Sequence, residues 1–477
     1  MKIFISFLSL LIFLSSSFSQ DEKDYSEAFS LIEIWLEAQK DFEQLPGITA
    51  IIIDDQKVLW SGGFGMANIN NEVKANSSTL YSICSISKLF TSVAIMKLYD
   101  EGKLRLDDQV IDLLPWYNLE QIYPESGPVT IRTLLTHSSG LPREAAYPYW
   151  TGPDFSFPTS DQIKTKLGEQ ETLYPASTYF QYSNLALTLL GEIVREISGQ
   201  AYDQYIQENI LNPLDLSNTR TELPESMLGK NLAIGYSSIN RDGKREKVNF
   251  FQAKGIQAAA GFSSNVEDLG RFASWQFRLL STKETEILRS STLDYMQRVH
   301  WTDPDWKTTR GLGFGVYKSS DGTTLVGHGG SCPGYRSSLT LDTKSKMAYV
   351  VMINASGTNP GKYIEGIRNI MKKVKPLNDK KENETVAENL KDYVGFYNQQ
   401  PWWSEMYIGA WQGKLVSLDL PTYSPENSMK FFKYIEKDVF RRIRDDDTLG
   451  ETLVFERDSI GKVFRVNSHG NYSVRIK

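Results

Sequence analysis

The chain has 477 residues, and 52 Lys+Arg against 58 Asp+Glu leave a formal net charge of −6 at pH 7. Hydrophobic residues make up 40% and charged residues 23% of the chain, which is typical of a folded multidomain protein and excludes long disorder or coiled coil. A mildly acidic chain lacks the basic surface that nucleic-acid binding needs, and four scattered His and two Cys form no zinc pattern. We therefore expect an enzyme without a metal, a cofactor or a nucleic-acid partner.

The first nineteen residues are predicted to be a signal peptide. Lys2 supplies a positive start, Ile3–Leu14 is an apolar run, and Ser17-Phe-Ser19 predicts cleavage before Gln20. The run is short for a membrane-spanning helix, although an uncleaved anchor is the alternative. We expect export to the periplasm or the medium, with no stable membrane insertion after cleavage. Such a compartment is oxidising, so the two cysteines can pair.

Apolar periodicity predicts strands at both ends of the region up to residue 371, with helices between them. An amphipathic segment at Asp21–Phe42 precedes a hairpin of Ile48–Ile53 and Lys57–Trp60, whose second strand is predicted to end at Ser61–Gly65. The further predicted helices are Ser87–Tyr99, Ile131–Leu135, Asn184–Ile197 and Val266–Leu280, and the further strands are Gly313–Val316, Thr324–Gly327, Ser337–Leu341 and Ala348–Ile353. This order predicts an α+β fold whose sheet joins its two ends.

The composition changes at residue 372. Lys372–Asn389 is rich in Lys, Asn and Glu, which predicts a linker, and short aromatic and β-branched runs fill the chain beyond it. We therefore predict a large α+β domain at 20–371, a linker at 372–389 and a small all-β domain at 390–477.

The first motif with chemical meaning is Ser85-Ile-Ser-Lys88. A Ser and a Lys three residues apart lie on one face of a helix, where a desolvated amine can serve as base for the hydroxyl. The same spacing occurs at Ser459-Ile-Gly-Lys462, where Gly461 predicts a turn before a strand. The motif alone therefore does not identify a nucleophile.

Two further motifs stand before and within predicted elements. Tyr182-Ser-Asn184 opens a predicted helix, where the phenol can relay a proton and the amide can orient the lysine; an Asn N-cap beside a packed Tyr is the alternative. His328-Gly-Gly330 lies at the end of a predicted strand, where glycines allow a substrate backbone to approach; a hairpin turn with a surface His is the alternative.

In this order, Ser-x-x-Lys, Tyr-x-Asn and a basic residue followed by Gly-Gly resemble the serine β-lactamase and penicillin-binding protein superfamily. The Tyr-x-Asn form is similar to its branch of class C β-lactamases, D-alanyl-D-alanine carboxypeptidases and esterases. Other stretches that match this branch are Leu45–Gly47, Leu134–Pro142, Ala259–Ser264, Gly311–Gly315 and Gly327–Tyr335. The resemblance spans about residues 40–370 and implies an antiparallel sheet flanked by helices, with an all-helical region inserted. The terminal β domain resembles the lipocalin-like domain of some family peptidases.

The resemblance also implies residue roles. Ser85 is the expected nucleophile, Lys88 and Tyr182 are the general bases, and Asn184 holds the network. The strand segment His328, Gly329, Gly330 and Ser331 is expected to line the substrate, with the backbone N–H groups of Ser85 and Ser331 as the oxyanion hole. His137 is interpreted as structural and is left out of the site.

Two features depart from or extend this pattern. Lys is usual in β-lactamases where this chain has His328, which is mostly neutral at pH 7 and so weakens the attraction for a substrate carboxylate. Arg336 is a candidate to restore that charge. Cysteines at the places of Cys84 and Cys332 are similar to a pair bridged in some class A carbapenemases, which implies a disulfide here; two unpaired buried cysteines are the alternative.

These inferences predict an exported serine hydrolase that acts on a small molecule or peptide, foremost as a D-amino-acid peptidase or carboxypeptidase. The alternatives are a carboxylesterase, a β-lactamase and a catalytically silent binding or sensor module. The aromatic segment Ala145–Pro158 is expected either to wall the cleft or to pack against its neighbours. The sequence leaves the oligomeric state open.

Overall fold

The computed structural model describes residues 23–377 and 389–476. The predicted signal peptide at 1–19 and residues 378–388 of the predicted linker lie outside these ranges. The described chain divides into two compact units, one of residues 33–367 and 420–424, the other of 23–32, 368–419 and 425–476. The division at 371/372 and 389/390 stays a prediction. Within the described ranges, no helix combines the length and the apolar character needed to cross a membrane.

A nine-stranded sheet forms the framework of the larger unit. Its N-terminal hairpin pairs directly with one of the last strands of the unit, in the register Ala50↔Val351, so the two ends of this region meet in one sheet as predicted. The strands lie in the order Val73–Lys74, Lys57–Asn68, Gly47–Asp54, Met347–Ile353, Tyr335–Asp342, Thr324–Cys332, Gly315–Lys318, Thr309–Arg310 and Trp301–Thr302. The central strands Gly47–Asp54 and Met347–Ile353 are almost entirely buried, which explains their near-continuous apolar sequences.

The second hairpin strand does not end at Ser61–Gly65 as predicted but runs from Lys57 to Asn68. Glycine is needed at these positions because backbone atoms of adjacent segments lie too close for a side chain, and not because the chain turns here. A Cβ at Gly63 would come within 2.5 Å of the Ala75 carbonyl oxygen, and one at Gly65 within 2.2 Å of the Pro46 carbonyl oxygen. Because the glycines let the backbone of adjacent segments approach, they extend the sheet instead of breaking it.

Helices cover the sheet and fill the long connection between its first and last strands. The α-helices of at least five residues in the described ranges are Ser26–Phe42, Ser87–Asp100, Ile131–Leu135, Ser160–Lys166, Asn184–Ser198, Tyr202–Ile206, Val266–Ser281, Ser290–Met296 and Pro360–Lys372. Most residues of two of these helices, Ser87–Asp100 and Asn184–Ser198, are buried. They agree with the predicted helices to within one residue at either end.

The smaller unit contains an eight-stranded antiparallel sheet. Its strands follow chain order: Gly395–Asn398, Glu405–Trp411, Lys414–Leu420, Lys430–Glu436, Val439–Ile443, Leu449–Arg457, Val463–Ser468 and Asn471–Val474. The first strand also meets the end of the chain, since Tyr397 bridges to Arg475 and the Ile476 amide donates to the Phe396 carbonyl at 2.7 Å. The sheet therefore nearly closes into a barrel. This part of the chain is all-β, as predicted.

Candidate active site

A tight turn presents Ser85 at the start of a buried helix. A 3₁₀ turn, Cys84–Ile86, leads directly into the helix Ser87–Asp100. Cys84 adopts a left-handed φ of 50°, uncommon for a residue with a side chain and frequent near functional sites. Ser85 itself is partly exposed, whereas its neighbours on both sides are buried. Its hydroxyl therefore reaches solvent where the helix also offers backbone N–H groups to an anion.

Lys88 is fully buried one helical turn beyond Ser85. Its Nζ lies 3.2 Å from Ser85 Oγ, 2.7 Å from Asn184 Oδ1 and 2.8 Å from the Ala259 carbonyl oxygen. The amide and carbonyl oxygens can only accept hydrogen bonds. A neutral amine would give both of its N–H bonds to them, which turns its lone pair toward the Ser85 hydroxyl.

The electrostatic setting makes this neutral form accessible. Burial lowers the pKa of Lys88, and the nearby Arg143 charge acts in the same direction. Tyr182 and the carboxylate of Glu144 oppose this effect and favour the charged form. Lys88 therefore loses its proton at a lower pH than a solvent-exposed lysine does.

The Tyr-x-Asn motif contributes two side chains to the same site. Ser183, rather than Asn184, caps the helix Asn184–Ser198, because its Oγ accepts from the Ala186 amide at 2.9 Å. This leaves the Asn184 amide free to reach Lys88. The Tyr182 ring is partly buried, and Lys88 Nζ lies 4.9 Å from its centroid. Asn184 is therefore not the N-cap of this helix; its side chain contacts Lys88 instead.

Glu144 supports Asn184 from behind and was missed in the sequence. Asn184 Nδ2 donates to both carboxylate oxygens of Glu144, at 2.8 and 3.0 Å. The Tyr149 hydroxyl donates to the same carboxylate, and the Arg143 guanidinium lies 3.2 Å from it. These contacts fix the amide so that its oxygen, not its nitrogen, faces Lys88. The residue belongs to an irregular segment without periodicity, so no sequence pattern marked it.

The strand Thr324–Cys332 carries His328, Gly329, Gly330 and Ser331 alongside the turn that holds Ser85. Gly330 lies so close that a Cβ would come within 2.2 Å of the Ile83 carbonyl oxygen, which also accepts from Ser337 Oγ at 3.0 Å. A disulfide joins Cys84 to Cys332, with their Cα atoms 5.8 Å apart. The covalent bond and the close packing hold this strand against the nucleophile turn.

His328 lies near Tyr182, with the two ring centroids 6.3 Å apart. Burial lowers its pKa to about 3, and the charges of Lys88 and Arg310 act in the same direction. The imidazole is therefore neutral at neutral pH. Arg336 donates to the backbone carbonyls of Cys332 and Tyr335, at 2.8 and 2.7 Å.

Arg310 is a second guanidinium, besides Arg143, that acts electrostatically on this site. It lies on the short strand Thr309–Arg310, and its charge contributes to lowering the pKa of both His137 and His328. Its Nε is buried and has no hydrogen-bond partner among the described residues. The guanidinium lies over the Phe180 ring at 4.7 Å, and the Asp303 carboxylate favours its charged form. A two-residue strand has no periodicity to mark it, although Arg310 directly precedes the matching stretch Gly311–Gly315.

His137, interpreted from the sequence as structural, stacks on Tyr182 with the ring centroids 4.4 Å apart. Its Nδ1 accepts from the Ser183 amide at 3.1 Å, which places the proton of the neutral ring on Nε2. Burial lowers its pKa well below the usual value. The neutral imidazole of His137 therefore helps to orient the Tyr182 ring.

The remaining sequence features fall outside the site. Within the aromatic segment Ala145–Pro158, Tyr149 and Phe157 are buried and their tilted rings pack with the centroids 5.0 Å apart, which favours the packing alternative. The second Ser-x-x-Lys, Ser459–Lys462, forms an exposed turn in which the Gly461 amide donates to the Asp458 carbonyl. It is a turn, as predicted.

Comparison with known proteins identifies the family of this chain. The chain is 26% identical over 358 residues to Protein flp of Staphylococcus aureus strain MW2, covering 74% of this chain and 67% of that protein. The structure resembles an octameric penicillin-binding protein homologue from Pyrococcus abyssi, with a TM-score of 0.64, 24% identity and coverage of 94% and 100% of the two chains. It also resembles a D-stereospecific amidohydrolase from Streptomyces sp., with a TM-score of 0.57, 23% identity and coverage of 70% and 97%. The Beta-lactamase family model matches residues 35–368. The chain therefore belongs to the Beta-lactamase family, within the superfamily of serine β-lactamases and penicillin-binding proteins.

Proposed function

We propose that this protein is an exported serine hydrolase that forms an acyl-enzyme through Ser85 and acts on small peptides with D-amino acids, as a peptidase or carboxypeptidase. The observation that carries the hydrolytic part is the buried Lys88 amine, held by two acceptors and directed at Ser85 Oγ. Export rests on the sequence pattern of residues 1–19.

In the proposed first step, Lys88 Nζ takes the proton of Ser85 Oγ while the oxygen attacks the substrate carbonyl carbon. The oxyanion accepts hydrogen bonds from the backbone N–H groups of Ser85 and Ser331. The C–N bond then breaks, and the leaving amine receives a proton relayed through Tyr182. In the second step a water molecule, deprotonated by Tyr182 or Lys88, attacks the acyl carbon and releases Ser85.

The preference for a substrate that ends in a carboxylate rests on Arg310. With His328 neutral, Arg310 supplies a positive charge close to the site, and its buried Nε lacks a hydrogen-bond partner among the described residues. A guanidinium binds a carboxylate through two parallel hydrogen bonds. The D-configuration is proposed because the Streptomyces protein named as D-stereospecific shares the fold, at 23% identity.

A substrate panel tests this assignment. We expect turnover of acyl peptides ending in D-alanyl-D-alanine, and much slower turnover of their L,L isomers. A carboxylesterase would instead cleave simple esters and ignore both peptides, and a β-lactamase would consume benzylpenicillin rapidly. Binding of the peptides without release of any product would identify a silent binding module.

Arg310→Ala is expected to raise KM for peptides with a free C-terminal carboxylate by about 10- to 100-fold, because a hydrogen bond to a charged group contributes about 1.5–3 kcal/mol. KM for the C-terminally amidated peptides should change little. Steady-state kinetics on both series give the comparison, with Arg298→Ala as the control, since Arg298 is an exposed arginine paired with Asp294. Equal effects on both series would contradict carboxylate recognition by Arg310.

Glu144→Gln is expected to lower kcat by about 10- to 100-fold, because a carboxamide cannot accept both hydrogen bonds of Asn184 Nδ2. Loss of the Glu144 charge also removes an influence that raises the pKa of Lys88. The acid limb of the pH–rate profile should therefore move to lower pH, an effect that a purely structural loss would not cause. Glu192→Gln, at another buried carboxylate of the same unit, is the control and should leave the acid limb in place.

The acid limb itself is expected to belong to Lys88 and not to His328. Activity should rise with pH as Lys88 loses its proton, whereas His328, with a pKa of about 3, is already neutral at pH 5. His328→Gln should therefore keep the limb at the same pH. Loss of the limb in this variant, or an imidazole NMR signal of His328 that titrates near pH 6.5, would contradict this assignment.

A further inference from the structure

The barrel of the smaller unit changes character along its interior. In a strand, residues two positions apart share one face. On Lys414–Leu420, Leu415 belongs to the apolar core of the barrel, and Ser417 and Asp419 follow on the same face. The interior face therefore turns polar toward one end of this strand.

Three neighbouring strands repeat this change. Phe432, Phe440 and Leu453 belong to the apolar core, and each has a charged residue two positions away on the same strand face: Lys430, Arg442 and Glu451 respectively. The register supports the alignment, since Leu415 pairs with Phe432 and Ser417 with Lys430. One end of the barrel is thus filled with apolar side chains, and the other is lined with charges of both signs.

The charged end encloses a cavity of about 670 Å³. This volume lies within the usual range of small-molecule sites. The apolar floor is made by Phe432, Leu453 and Val466, and the exposed ring of Trp402 lies at its rim. All of these residues belong to the smaller unit.

The charges in the cavity are incompletely paired. Lys430 Nζ donates to Asp419 at 3.3 Å. Arg442 and Arg444 both form ion pairs with Glu451, but at 3.7 and 3.9 Å, beyond hydrogen-bond distance. Glu451 Oε2 is buried and has no hydrogen-bond partner among the described residues. This oxygen can therefore accept a hydrogen bond from a donor that enters the cavity.

We infer that this cavity binds a small zwitterion, an amino acid or short peptide with free termini, whose ammonium group donates to Glu451 and whose carboxylate accepts from Arg442. Each charge of the ligand thereby meets an opposite charge of the cavity whose own ion pair is longer than a hydrogen bond. The apolar floor and Trp402 accommodate its side chains. The inference does not depend on the proposed catalytic function, because every residue that it uses lies in the barrel.

Isothermal titration calorimetry on the full chain carrying Ser85→Ala tests this inference, with trialanine as the probe in L and D forms. We expect saturable binding that weakens about 10- to 100-fold on N-acetylation or on C-terminal amidation of the peptide. Glu451→Gln should weaken binding of the free peptide and abolish the effect of acetylation. Arg442→Gln should do the same for amidation.

Binding at the candidate active site is distinguished by Arg310→Ala, which should leave the barrel affinity unchanged. Trp402→Phe, which keeps an aromatic ring at the rim, should remove the fluorescence change that accompanies binding. Far-UV circular dichroism and thermal unfolding check that each variant is folded. Absence of binding to the parent chain, or binding that Arg310→Ala removes and Glu451→Gln spares, would overturn the inference.

Discussion

Ser85→Ala is expected to lower kcat/KM at least about 10⁴-fold for every substrate that the protein turns over. The substitution removes the hydroxyl that lies 3.2 Å from Lys88 Nζ and that forms the acyl-enzyme in the proposed mechanism. The side chain is partly exposed and carries no cap or core contact, so the free energy of unfolding should change little. Steady-state kinetics and thermal unfolding of the same preparation measure both quantities.

The chain offers a matched control for this substitution. Ser459 stands in the second Ser-x-x-Lys, on an exposed turn of the smaller unit. Ser459→Ala should retain full activity. Substantial hydrolysis by Ser85→Ala, with its peptide-binding affinity intact, would show that Ser85 is not the nucleophile.

Lys88→Met is expected to lower kcat at least about 10³-fold, because it removes the general base while keeping an unbranched side chain of similar length. The pH–rate profile of the residual activity should lose its acid limb, since the group whose lowered pKa sets that limb is gone. The substitution also leaves Asn184 Oδ1 and the Ala259 carbonyl without their donor, which costs about 1–3 kcal/mol of stability for each acceptor.

Lys97→Met is the control on the same helix. Lys97 forms an ion pair with Glu101 at 2.8 Å one turn further on and has no contact with Ser85 among those described. It should retain activity and stability. If Lys88→Met keeps the acid limb of the parent protein, another group serves as the base.

Local sequence patterns were sufficient for the helices that hold the site. The apolar residues of Ser87–Asp100 and of Asn184–Ser198 are contiguous in the chain, so local patterns predict both helices. The cap at Ser183 was not predicted, because the sequence offered Asn184 as the candidate cap. The hairpin strand through Gly62–Gly65 was mispredicted because glycine disfavours strands locally, and only the approach of Ala75 and Pro46 explains why it is tolerated.

The resemblance placed Ser85, Lys88, Tyr182 and Asn184 in one expected site, and the structure brings these side chains together. The supporting residues depend on long-range folding and have no local signature. Glu144 reaches Asn184 across 40 positions from an irregular segment, and Arg310 acts from a two-residue strand. Arg336, the sequence-based candidate for restoring the positive charge, donates instead to the backbone carbonyls of Cys332 and Tyr335.

The most direct test of the account is time-resolved intact mass of the mature protein with excess benzylpenicillin or an activated ester, followed by peptide mapping. The account predicts a transient or persistent acyl adduct of one equivalent on Ser85, absent from Ser85→Ala and present in Ser459→Ala. Hydrolysis of either reagent without an adduct on Ser85, or an adduct of equal amount on Ser85→Ala, would contradict it.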